Sequence, residues 1–429
     1  MKPLPEIEFL LQLTDFGIKL GLDKTRHLLE QYGNPHLKYP SVLIAGTNGK
    51  GSVAKTVANV LTCAGYRTGL YTSPHLIYIG ERIVFNGEPI DEKHLASKVQ
   101  HLQKILGSQP YHLYPTFFEA LTTIAFSYFA EMKADILVCE VGMGGRFDST
   151  NVLPSSLQVI TKIGLEHTQY LGKTYEEIAS EKAGIIKPGS TVVSAFQKER
   201  AMNVIRNKAR EKKAKLYSYR KDFTVRRNAV SVRGQEFNFY CGEERFLALN
   251  TPLLGRHQME NMALAVQTVR LLEKMKFPVK KEALYEGVST VSWPCRFQVL
   301  EENPVIVIDG AHNPDGIRTL SGTLGEVFPG KKVSFLTGIL KDKDWRKMLR
   351  ILLRNKNMGE IVFTQPDTER ALDPEILAGF AKGRKNIKIT VIPKPSAALK
   401  YARRTRKDWC ICGSLYLCGD ILSCFVQRH

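Results

Sequence analysis

The sequence predicts an α/β protein built on a doubly wound, mostly parallel sheet. Short apolar runs rich in β-branched residues alternate with helical patterns, as they do where helices connect parallel strands. The 429 residues are enough for two or three domains with hydrophobic cores of their own. Hydrophobic residues make up 43% and charged residues 24% of the chain, which is ordinary for soluble globular proteins and excludes a disordered or fibrous chain.

Six short runs are predicted to be strands buried on both faces, because each is mostly apolar and ends in small or polar residues. These runs are residues 41–46, 67–73, 135–140, 157–164, 305–310 and 332–338. A proline within residues 292–296 interrupts the chain before the last two of these strands. We therefore place a domain boundary there, with one domain at residues 1–292 and a smaller one at 297–429.

Two segments are predicted helices. Residues 174–184 begin with a capping box formed by Thr174 and Glu177. Residues 117–130 form the most apolar helical stretch, but Glu119 interrupts it. This stretch is also shorter than the roughly 20 residues that cross a bilayer, so no membrane span is expected.

The N-terminus and the cysteines indicate a cytoplasmic protein. The first ten residues, MKPLPEIEFL, contain early prolines and acids where a secretory signal has a basic start and an apolar core. The eight cysteines form no CxxC pair and have no metal-type histidine spacing, so we interpret them as reduced core thiols.

The net charge of +19 is concentrated in two segments. Residues 198–233 contain 13 Lys/Arg and 3 Asp/Glu, and residues 382–407 contain 10 Lys/Arg and no acid. Such segments are either solvated helix and loop faces or surfaces that attract polyanionic substrates or nucleic acid.

The sequence predicts a phosphate-binding loop between the strand at 41–46 and the helix that follows. Glycines let backbone N–H groups turn toward phosphate oxygens, the helix N-terminus adds positive potential, Lys50 can reach terminal phosphates, and Ser52 can bind Mg²⁺. The spacing departs from GxxxxGK[ST], and a glycine-rich turn without a ligand is the alternative. The loop consists of Gly46, Thr47, Asn48, Gly49, Lys50, Gly51 and Ser52.

Polar side chains at successive strand ends predict a metal site beside this loop. Ser73 follows the second strand, Glu140 ends the third, and His167 follows the fourth. The carboxyl ends of parallel strands meet at one crevice, which brings hydroxyl, carboxylate and imidazole ligands together. Each residue alone has an ordinary alternative, such as a core histidine or a turn cap. Residues 142–146, GMGGR, form either an anion-binding loop or a tight structural turn.

These residues belong to a longer series of motifs that resembles the folylpolyglutamate synthase/dihydrofolate synthase family of the Mur ligase superfamily. The resemblance implies a large N-terminal P-loop ATPase domain and a smaller Rossmann-like C-terminal domain. The motifs are GTNGKGS at 46–52, TSPHL at 72–76, ERI at 81–83, EVGMGGRFDSTN at 140–151, EHTQYLGKTYEEIASEKAGIIK at 166–187, GRHQMEN at 255–261, WPCRFQ at 293–298, DGAHNPDG at 309–316 and GSLYL at 413–417.

The resemblance also implies a role for each matching residue. The loop at 46–52 and Lys50 are expected to bind the phosphates of ATP. Two Mg²⁺ sites are expected, and Lys182 matches the lysine that is carbamylated in this superfamily. The implied metal ligands are Ser52, Ser73, Glu140, His167 and carbamylated Lys182; the residues implied near nucleotide or reacting phosphate are Asn261, Arg296, Asp309 and His312.

Two positions depart from the family pattern. Glu166 replaces the usual Asp before His167, and Met262 replaces a smaller residue. Both changes are conservative and affect only the fine positioning of the site.

The implied reaction is ATP-dependent addition of L-glutamate to dihydropteroate, to reduced folates, or to both, through an acyl phosphate. The expected partners are these small molecules, with no nucleic acid and no membrane, and a monomer is expected. Three alternatives remain at this point: a peptidoglycan Mur-type ligase, a basic nucleic-acid-binding NTPase and a noncatalytic nucleotide-binding protein.

Overall fold

The computed structural model describes residues 4–17, 21–107, 114–355, 358–383 and 387–426. Residues 1–3 of the N-terminal segment and residues 384–386 of the second basic segment lie outside this described part. The chain forms two compact units. The first contains Met1–Arg226, Phe237–Leu249 and Met259–Val291, and the second contains Arg227–Glu236, Asn250–Gln258 and Ser292–His429.

The first unit contains an eight-stranded sheet that confirms the predicted α/β class. Its strands are β1 Ser41–Ala45, β2 Thr68–Tyr71, β3 Ile83–Phe85, β4 Glu88–Pro89, β5 Ile136–Glu140, β6 Leu157–Ile160, β7 Thr191–Ser194 and β8 Lys215–Ser218. Their order is β4-β3-β2-β5-β1-β6-β7-β8. The six strands from β2 to β8 in this order are parallel, whereas β3 and β4 form an antiparallel edge. The residues of β1 and β5 are all buried, as expected for central parallel strands.

Helices cover this sheet. They are α1 Pro5–Gln12, α2 Asp23–Gln31, α3 Lys50–Cys63, α4 Glu92–Leu106, α5 Phe117–Glu131, α6 Thr168–Leu171, α7 Tyr175–Ala183, α8 Glu199–Glu211, α9 Arg256–Glu273 and α10 Lys281–Ser289. Short 3₁₀ turns occupy Leu13–Phe16, Pro35–Leu37, Ile79–Arg82 and Ser149–Val152. The predicted capping box of α7 is present, because Glu177 N donates to Thr174 Oγ1 and Thr174 N donates to Glu177 Oε2.

A second, three-stranded sheet has the order β11-β10-β9. Its strands are β9 Thr224–Ser231, β10 Gly234–Cys241 and β11 Glu244–Thr251, and their residues are divided between the two units. Exposed residues alternate with less exposed residues along β9, so part of the basic segment 198–233 lies on a solvated strand face.

The second unit contains a six-stranded sheet with the order β12-β13-β17-β14-β15-β16. The strands are β12 Gln298–Glu302, β13 Val305–Ile308, β14 Val333–Thr337, β15 Met358–Phe363, β16 Lys388–Val391 and β17 Trp409–Cys412. All neighbours are parallel except β12 and β13. The accompanying helices are α11 Pro314–Val327, α12 Trp345–Leu352, α13 Pro374–Ala381, α14 Pro395–Arg404 and α15 Leu415–Val426.

Each unit has a hydrophobic core of its own. In the first unit, Tyr71, Phe126 and Phe129 are fully buried between the sheet and its helices. In the second, Phe335 and Phe363 occupy the equivalent position. Over the described residues, none of the helices has both the length and the apolar character needed to cross a membrane. All eight cysteines lie in the described part and are free thiols.

Candidate active site

The glycine-rich loop connects the end of β1 to the first turn of α3. Gly46 has φ 147° and Gly49 has φ 94°, conformations that side chains rarely adopt. A Cβ at Gly46 would lie 1.8 Å from Thr161 Oγ1, and one at Gly49 would lie 2.3 Å from Asn261 Oδ1. The Asn261 side chain therefore packs directly on the loop. Both glycines are required by the close approach of these neighbours.

Hydrogen bonds hold the loop against the segment after β6. The N–H groups of Thr47 and Asn48 donate to Lys162 O at 2.9 and 3.2 Å. The Thr47 hydroxyl accepts from Gly164 N at 2.9 Å and lies 3.1 Å from Gly164 O. The loop conformation is thus fixed by the fold.

Lys50, Glu140 and Ser73 lie together at the carboxyl edge of the first sheet. Lys50 Nζ lies 3.7 Å from Glu140 Oε1, and Ser73 N donates to Glu140 Oε2 at 3.3 Å. Glu140 is only 4% exposed although it is a carboxylate. Ser52, in the first turn of α3, is also buried. Glu140 supplies a carboxylate of the kind that binds Mg²⁺, and the nearby Lys50 ammonium compensates part of its charge.

Lys182 is buried beside the same loop. It lies in the last turn of α7, is 4% exposed, and its Nζ donates to Gly46 O at 2.7 Å. Burial, followed by the positive charge of Lys50, lowers the pKa of Lys182 to about 7 against the opposing charges of Glu166 and Asp148. This position does not match an ordinary exposed cation at a helix end. Its amine can be neutral, and therefore nucleophilic, near neutral pH.

The GMGGR segment is a tight turn that packs against the end of α7. Asp148 accepts N–H bonds from Met143 and Thr150 at 2.8 and 3.0 Å, and burial raises the pKa of Asp148 in spite of these bonds. Arg146 N donates to Glu181 O at 2.8 Å, while the Arg146 side chain is exposed. The backbone of this turn positions α7, and the Arg146 guanidinium stays accessible.

The loop after β2 contains the TSPHL motif at residues 72–76 and continues to Tyr78, and the Glu81 carboxylate holds its backbone. Glu81 accepts N–H bonds from Leu76, Ile77 and Tyr78 at 2.7, 2.9 and 3.0 Å. The Ile77 and Tyr78 side chains are 44% and 45% exposed. This arrangement presents apolar surface on a rigid loop. The signal that could have identified Glu81 is its place three residues after Tyr78, at the start of a turn.

The same loop holds an uncharged histidine. Arg82 Nε donates to His75 Nδ1 at 2.9 Å. Burial, followed by the charge of Arg82, lowers the pKa of His75 to about 4. His75 is therefore neutral at physiological pH.

An exposed aromatic ring that sequence reasoning missed lies close to the loop. Phe196 is 45% exposed, and its ring lies 5.0 Å from Lys162 Nζ and 4.7 Å from Arg220 Cζ. Glu260 Oε1 accepts from Phe196 N at 2.6 Å and fixes this segment. The carbonyl oxygen of Lys162 accepts two N–H groups of the glycine-rich loop, so Lys162 contacts both this loop and the Phe196 ring. No local pattern distinguishes Phe196 from a core phenylalanine.

Unlike Ser52, Glu140 and Lys182, which are buried, His167 is exposed to solvent. It has φ 51° and occupies the N-cap position of the short helix α6 without a side-chain capping bond.

In the second unit, the DGAHNPDG motif forms a turn at the carboxyl end of β13. Asp309 accepts N–H bonds from Phe297 and Ala311, both at 2.8 Å. Burial raises the pKa of Asp309, and the positive charge of Arg296 opposes this effect. His312 Nδ1 lies 2.8 Å from Gly310 O, which can only accept, so this contact assigns the ring proton to Nδ1.

The start of α11 completes this turn. Asn313 Oδ1 caps the helix by accepting from Gly316 N at 2.7 Å. A Cβ at Gly310 would lie 3.2 Å from a terminal nitrogen of Arg296, so Arg296 also belongs to the turn. The second unit therefore brings Arg296, Asp309 and His312 into one cluster.

The chain is similar to known proteins in sequence and in fold. Residues 44–269 match the Mur ligase middle domain, and residues 295–424 match the C-terminal domain of dihydrofolate synthetase. A dihydrofolate synthase/folylpolyglutamate synthase of Bacillus subtilis is 38% identical over 341 residues, which are 79% of this chain and 79% of that protein.

Two solved structures are similar over nearly the whole chain. Folylpolyglutamate synthase from Thermotoga maritima is 35% identical with a TM-score of 0.89, covering 99% of this chain and 97% of that one. Folylpolyglutamate synthase of Mycobacterium tuberculosis, complexed with ADP, is 32% identical with a TM-score of 0.88, covering 98% and 99%.

Proposed function

Because the chain belongs to the dihydrofolate synthase/folylpolyglutamate synthase family of Mur ligases, we propose that it uses ATP to join L-glutamate to dihydropteroate, to reduced folates, or to both. The placement of Lys50, Glu140 and Lys182 around one glycine-rich loop carries this proposal. Such a loop at the carboxyl edge of a parallel sheet suits the phosphates of a nucleotide.

The reaction needs two steps because a free carboxylate is a poor electrophile toward an amine. First, a carboxylate oxygen of the pterin substrate attacks the terminal phosphorus of ATP, and ADP leaves. The amino group of L-glutamate then attacks the acyl phosphate, the tetrahedral intermediate loses phosphate, and an amide bond remains. Catalysis rests mainly on positioning and on compensation of negative charge.

We assign the triphosphate of ATP to the loop at residues 46–52. The backbone N–H groups at the start of α3 and the Lys50 ammonium compensate the phosphate charge. The exposed Phe196 ring, which lies near Lys162 and Arg220, offers a stacking surface for the adenine base. Asn261, whose side chain packs on Gly49, has an amide that can hydrogen-bond.

In the second unit, we assign the nucleotide and the reacting phosphate to the cluster after β13. Arg296 supplies a guanidinium that binds oxyanions, and Asp309 supplies a carboxylate that can accept a ribose hydroxyl. His312 carries its proton on Nδ1, so Nε2 has the lone pair in the neutral ring. We propose that His312 acts on the reacting phosphate.

The donor set beside Lys50 fits Mg²⁺. Within the described ranges, no group of three or more His, Cys, Asp or Glu side chains is arranged to hold a metal ion. Mg²⁺ needs no such group, since it is commonly held by one or two carboxylates together with waters and substrate phosphates. We propose that Ser52 and Glu140 hold one Mg²⁺ and that Ser73, His167 and carbamylated Lys182 serve the two metal positions. Bound there, Mg²⁺ would offset the negative charge of the ATP phosphates.

The loop after β2 is the proposed binding surface for the pterin acceptor. Its exposed Ile77 and Tyr78 side chains offer apolar surface for a flat pterin ring. We further propose a cytoplasmic monomer without nucleic-acid or membrane partners. In this proposal, residues 1–292 bind ATP and folate, and residues 297–429 form the C-terminal ligase domain.

An acceptor assay tests the proposed substrate. ADP release is measured with dihydropteroate, a reduced folate or a UDP-muramoyl peptide, each with and without L-glutamate. We expect glutamate-dependent ADP release with at least one of the two pterin acceptors. Release only with the UDP-muramoyl peptide would instead assign the chain to peptidoglycan synthesis. Release stimulated by nucleic acid without glutamate would indicate an NTPase.

A further inference from the structure

The second unit contains a cavity at the edge of its sheet opposite to Asp309 and His312. The cavity has a volume of about 430 Å³. Its lining residues lie at the amino ends of β14, β15 and β17, whereas Asp309 follows the carboxyl end of β13, which is parallel to β17. The cavity therefore does not belong to the nucleotide cluster. It is lined by Lys332, Ser334, Gly359, Arg406, Lys407 and Asp408.

Three of the six lining residues are cations, and one is an acid. Asp408 is already engaged, because its Oδ1 accepts from Val305 N at 2.9 Å. Lys332 and Arg406 are exposed to solvent at the cavity. The cavity is partly open to solvent, and its lining carries more positive than negative charge, so it attracts anions.

The turn that carries Arg406 and Lys407 is held in place. Arg406 has φ 52°, a conformation that costs free energy for a residue with a side chain. Thr405 Oγ1 donates to Ala402 O at 2.7 Å and accepts from Trp409 Nε1 at 2.9 Å. Since Trp409 is fully buried, this turn is anchored in the core of the second unit.

The ammonium of Lys407 is also positioned. Its Nζ lies 2.8 Å from Glu360 Oε2, and Glu360 is 1% exposed. Glu360 Oε1 accepts from Tyr401 OH at 2.6 Å and lies 3.1 Å from Lys388 Nζ. Two ammonium groups share one buried carboxylate, so a net positive charge remains beside the cavity.

Ser334 provides an independent sign of a ligand. It is 2% exposed and lines the cavity, yet its hydroxyl makes no hydrogen bond with the residues that the structure describes. Its oxygen is reached from the cavity, so the hydroxyl is available to a bound molecule.

The pairing of β14 with β15 is interrupted beside the cavity. Val333 pairs with Met358 and Phe335 pairs with Ile361, so β15 has one extra residue opposite Ser334. A bulge of this kind leaves backbone groups unpaired and is common next to binding sites. The bulge includes Gly359, which keeps the cavity floor open because a Cβ there would lie 3.4 Å from Ser334 Oγ.

We propose that this cavity binds a small molecule through an oxyanion group that carries two or more negative charges. The Arg406 guanidinium can bind two oxygens at once, the two lysines add positive charge, and Ser334 donates one O–H bond. The volume is in the range of small-molecule sites. The oxyanion is either a phosphate group or the adjacent carboxylates of a γ-linked glutamate chain.

The test measures binding of two probes to the full-length chain by calorimetry: inorganic phosphate and tri-γ-L-glutamate. The Lys50→Ala background weakens phosphate binding at the glycine-rich loop. We expect at least one probe to bind, with a Kd that rises about tenfold in Arg406→Ala and severalfold in Ser334→Ala. Tighter binding of phosphate indicates a phosphorylated ligand, and tighter binding of the peptide indicates a glutamate chain.

Lys331→Ala is the matched control, since Lys331 is an exposed neighbour that does not line the cavity. Arg406→Lys keeps the positive charge but loses the planar guanidinium. If Arg406→Ala does not fold, the Kd of each probe is measured with Arg406→Lys instead, and it is also expected to rise. The proposal is overturned if neither probe binds, or if Lys331→Ala weakens binding as much as the cavity variants. Both arms omit ATP and pterin, so they are independent of the proposed ligation.

Discussion

Lys182 combines burial, a nearby cation and a backbone acceptor at one amine. Its Nζ donates to Gly46 O at 2.7 Å, and its pKa is lowered to about 7, first by burial and then by the charge of Lys50. The neutral amine can add to CO₂ with loss of a proton and become a carbamate anion. That change would replace repulsion of Mg²⁺ by attraction, because the carbamate offers oxygen ligands like a long carboxylate.

We therefore expect Lys182→Ala to lose activity by about 100-fold or more, the scale seen when one group that stabilises transition-state charge is removed. Acetate should restore part of the activity by supplying the missing carboxylate. Lys182→Arg should be inactive with and without acetate, because a guanidinium cannot form the carbamate. Ligation rates with increasing acetate measure both effects.

The control for this prediction is Lys173→Ala, because Lys173 is exposed just before α7. It should keep nearly full activity. Normal activity of Lys182→Ala would show that the Lys182 amine has only a structural role.

At the scale of elements, the loop after β2 depends on one carboxylate. Glu81 accepts three successive backbone N–H groups. In Glu81→Gln, an NH₂ group replaces one acceptor oxygen and opposes an N–H group, so the loop should lose its fixed conformation. If this loop holds the pterin, KM for the acceptor should rise about tenfold, with little change in kcat or in KM for ATP.

Steady-state kinetics with each substrate varied in turn check this prediction. Glu88→Gln is the control, because Glu88 is exposed on the edge strand β4. An unchanged KM for the acceptor in Glu81→Gln would separate the loop from pterin binding.

Strand β15 carries a buried carboxylate whose ionised form stabilises the second unit. Burial raises the pKa of Glu360, but hydrogen bonds from Lys407, Tyr401 and Lys388 outweigh it, so the pKa is lowered from 4.5. A lowered carboxyl pKa means that the native state binds fewer protons than the unfolded state near that pH. The stabilisation is therefore complete above about pH 4.5 and is lost as the pH falls below it.

Glu360→Gln should lower the free energy of unfolding at pH 7 by roughly 1–3 kcal/mol, because a charged buried acceptor is lost. The difference from the natural chain should shrink below pH 4, where the unmodified Glu360 also becomes protonated. Urea unfolding at the two pH values measures this. The control Glu302→Gln removes an exposed ion pair with Arg233 and should change stability by less than about 1 kcal/mol at either pH. A pH-independent difference for Glu360→Gln would contradict the ionised state.

At the scale of the whole molecule, the predicted strands and the α7 helix were within one to four residues of the observed ones. The reason is local: buried parallel strands such as Ser41–Ala45 are continuous apolar runs, and the α7 capping box needs only Thr174 and Glu177. These signals do not depend on distant contacts. They were enough to predict the fold class.

Several other features were not predicted. The strands β9, β10 and β11 consist largely of residues that are not fully buried, so they lack the continuous buried pattern of the central strands. The exposure of Phe196 follows from tertiary packing, and so does the burial of Lys182, for which only the family resemblance indicated a role. The cavity at Ser334 lies beside a bulge in the pairing of β14 with β15, which is seen only in the folded sheet. Local pattern cannot reveal any of these.

The most direct test of the central claim measures ADP and glutamylated product in the same reaction, for the natural chain and for Lys50→Ala. If the chain activates a pterin carboxylate with ATP, one ADP should form for each amide bond. Both products should fall at least 100-fold in Lys50→Ala, because the phosphate-compensating cation is lost, while the melting temperature stays nearly unchanged. ADP formed without glutamylated product in the natural chain, or undiminished ligation by Lys50→Ala, would contradict the account.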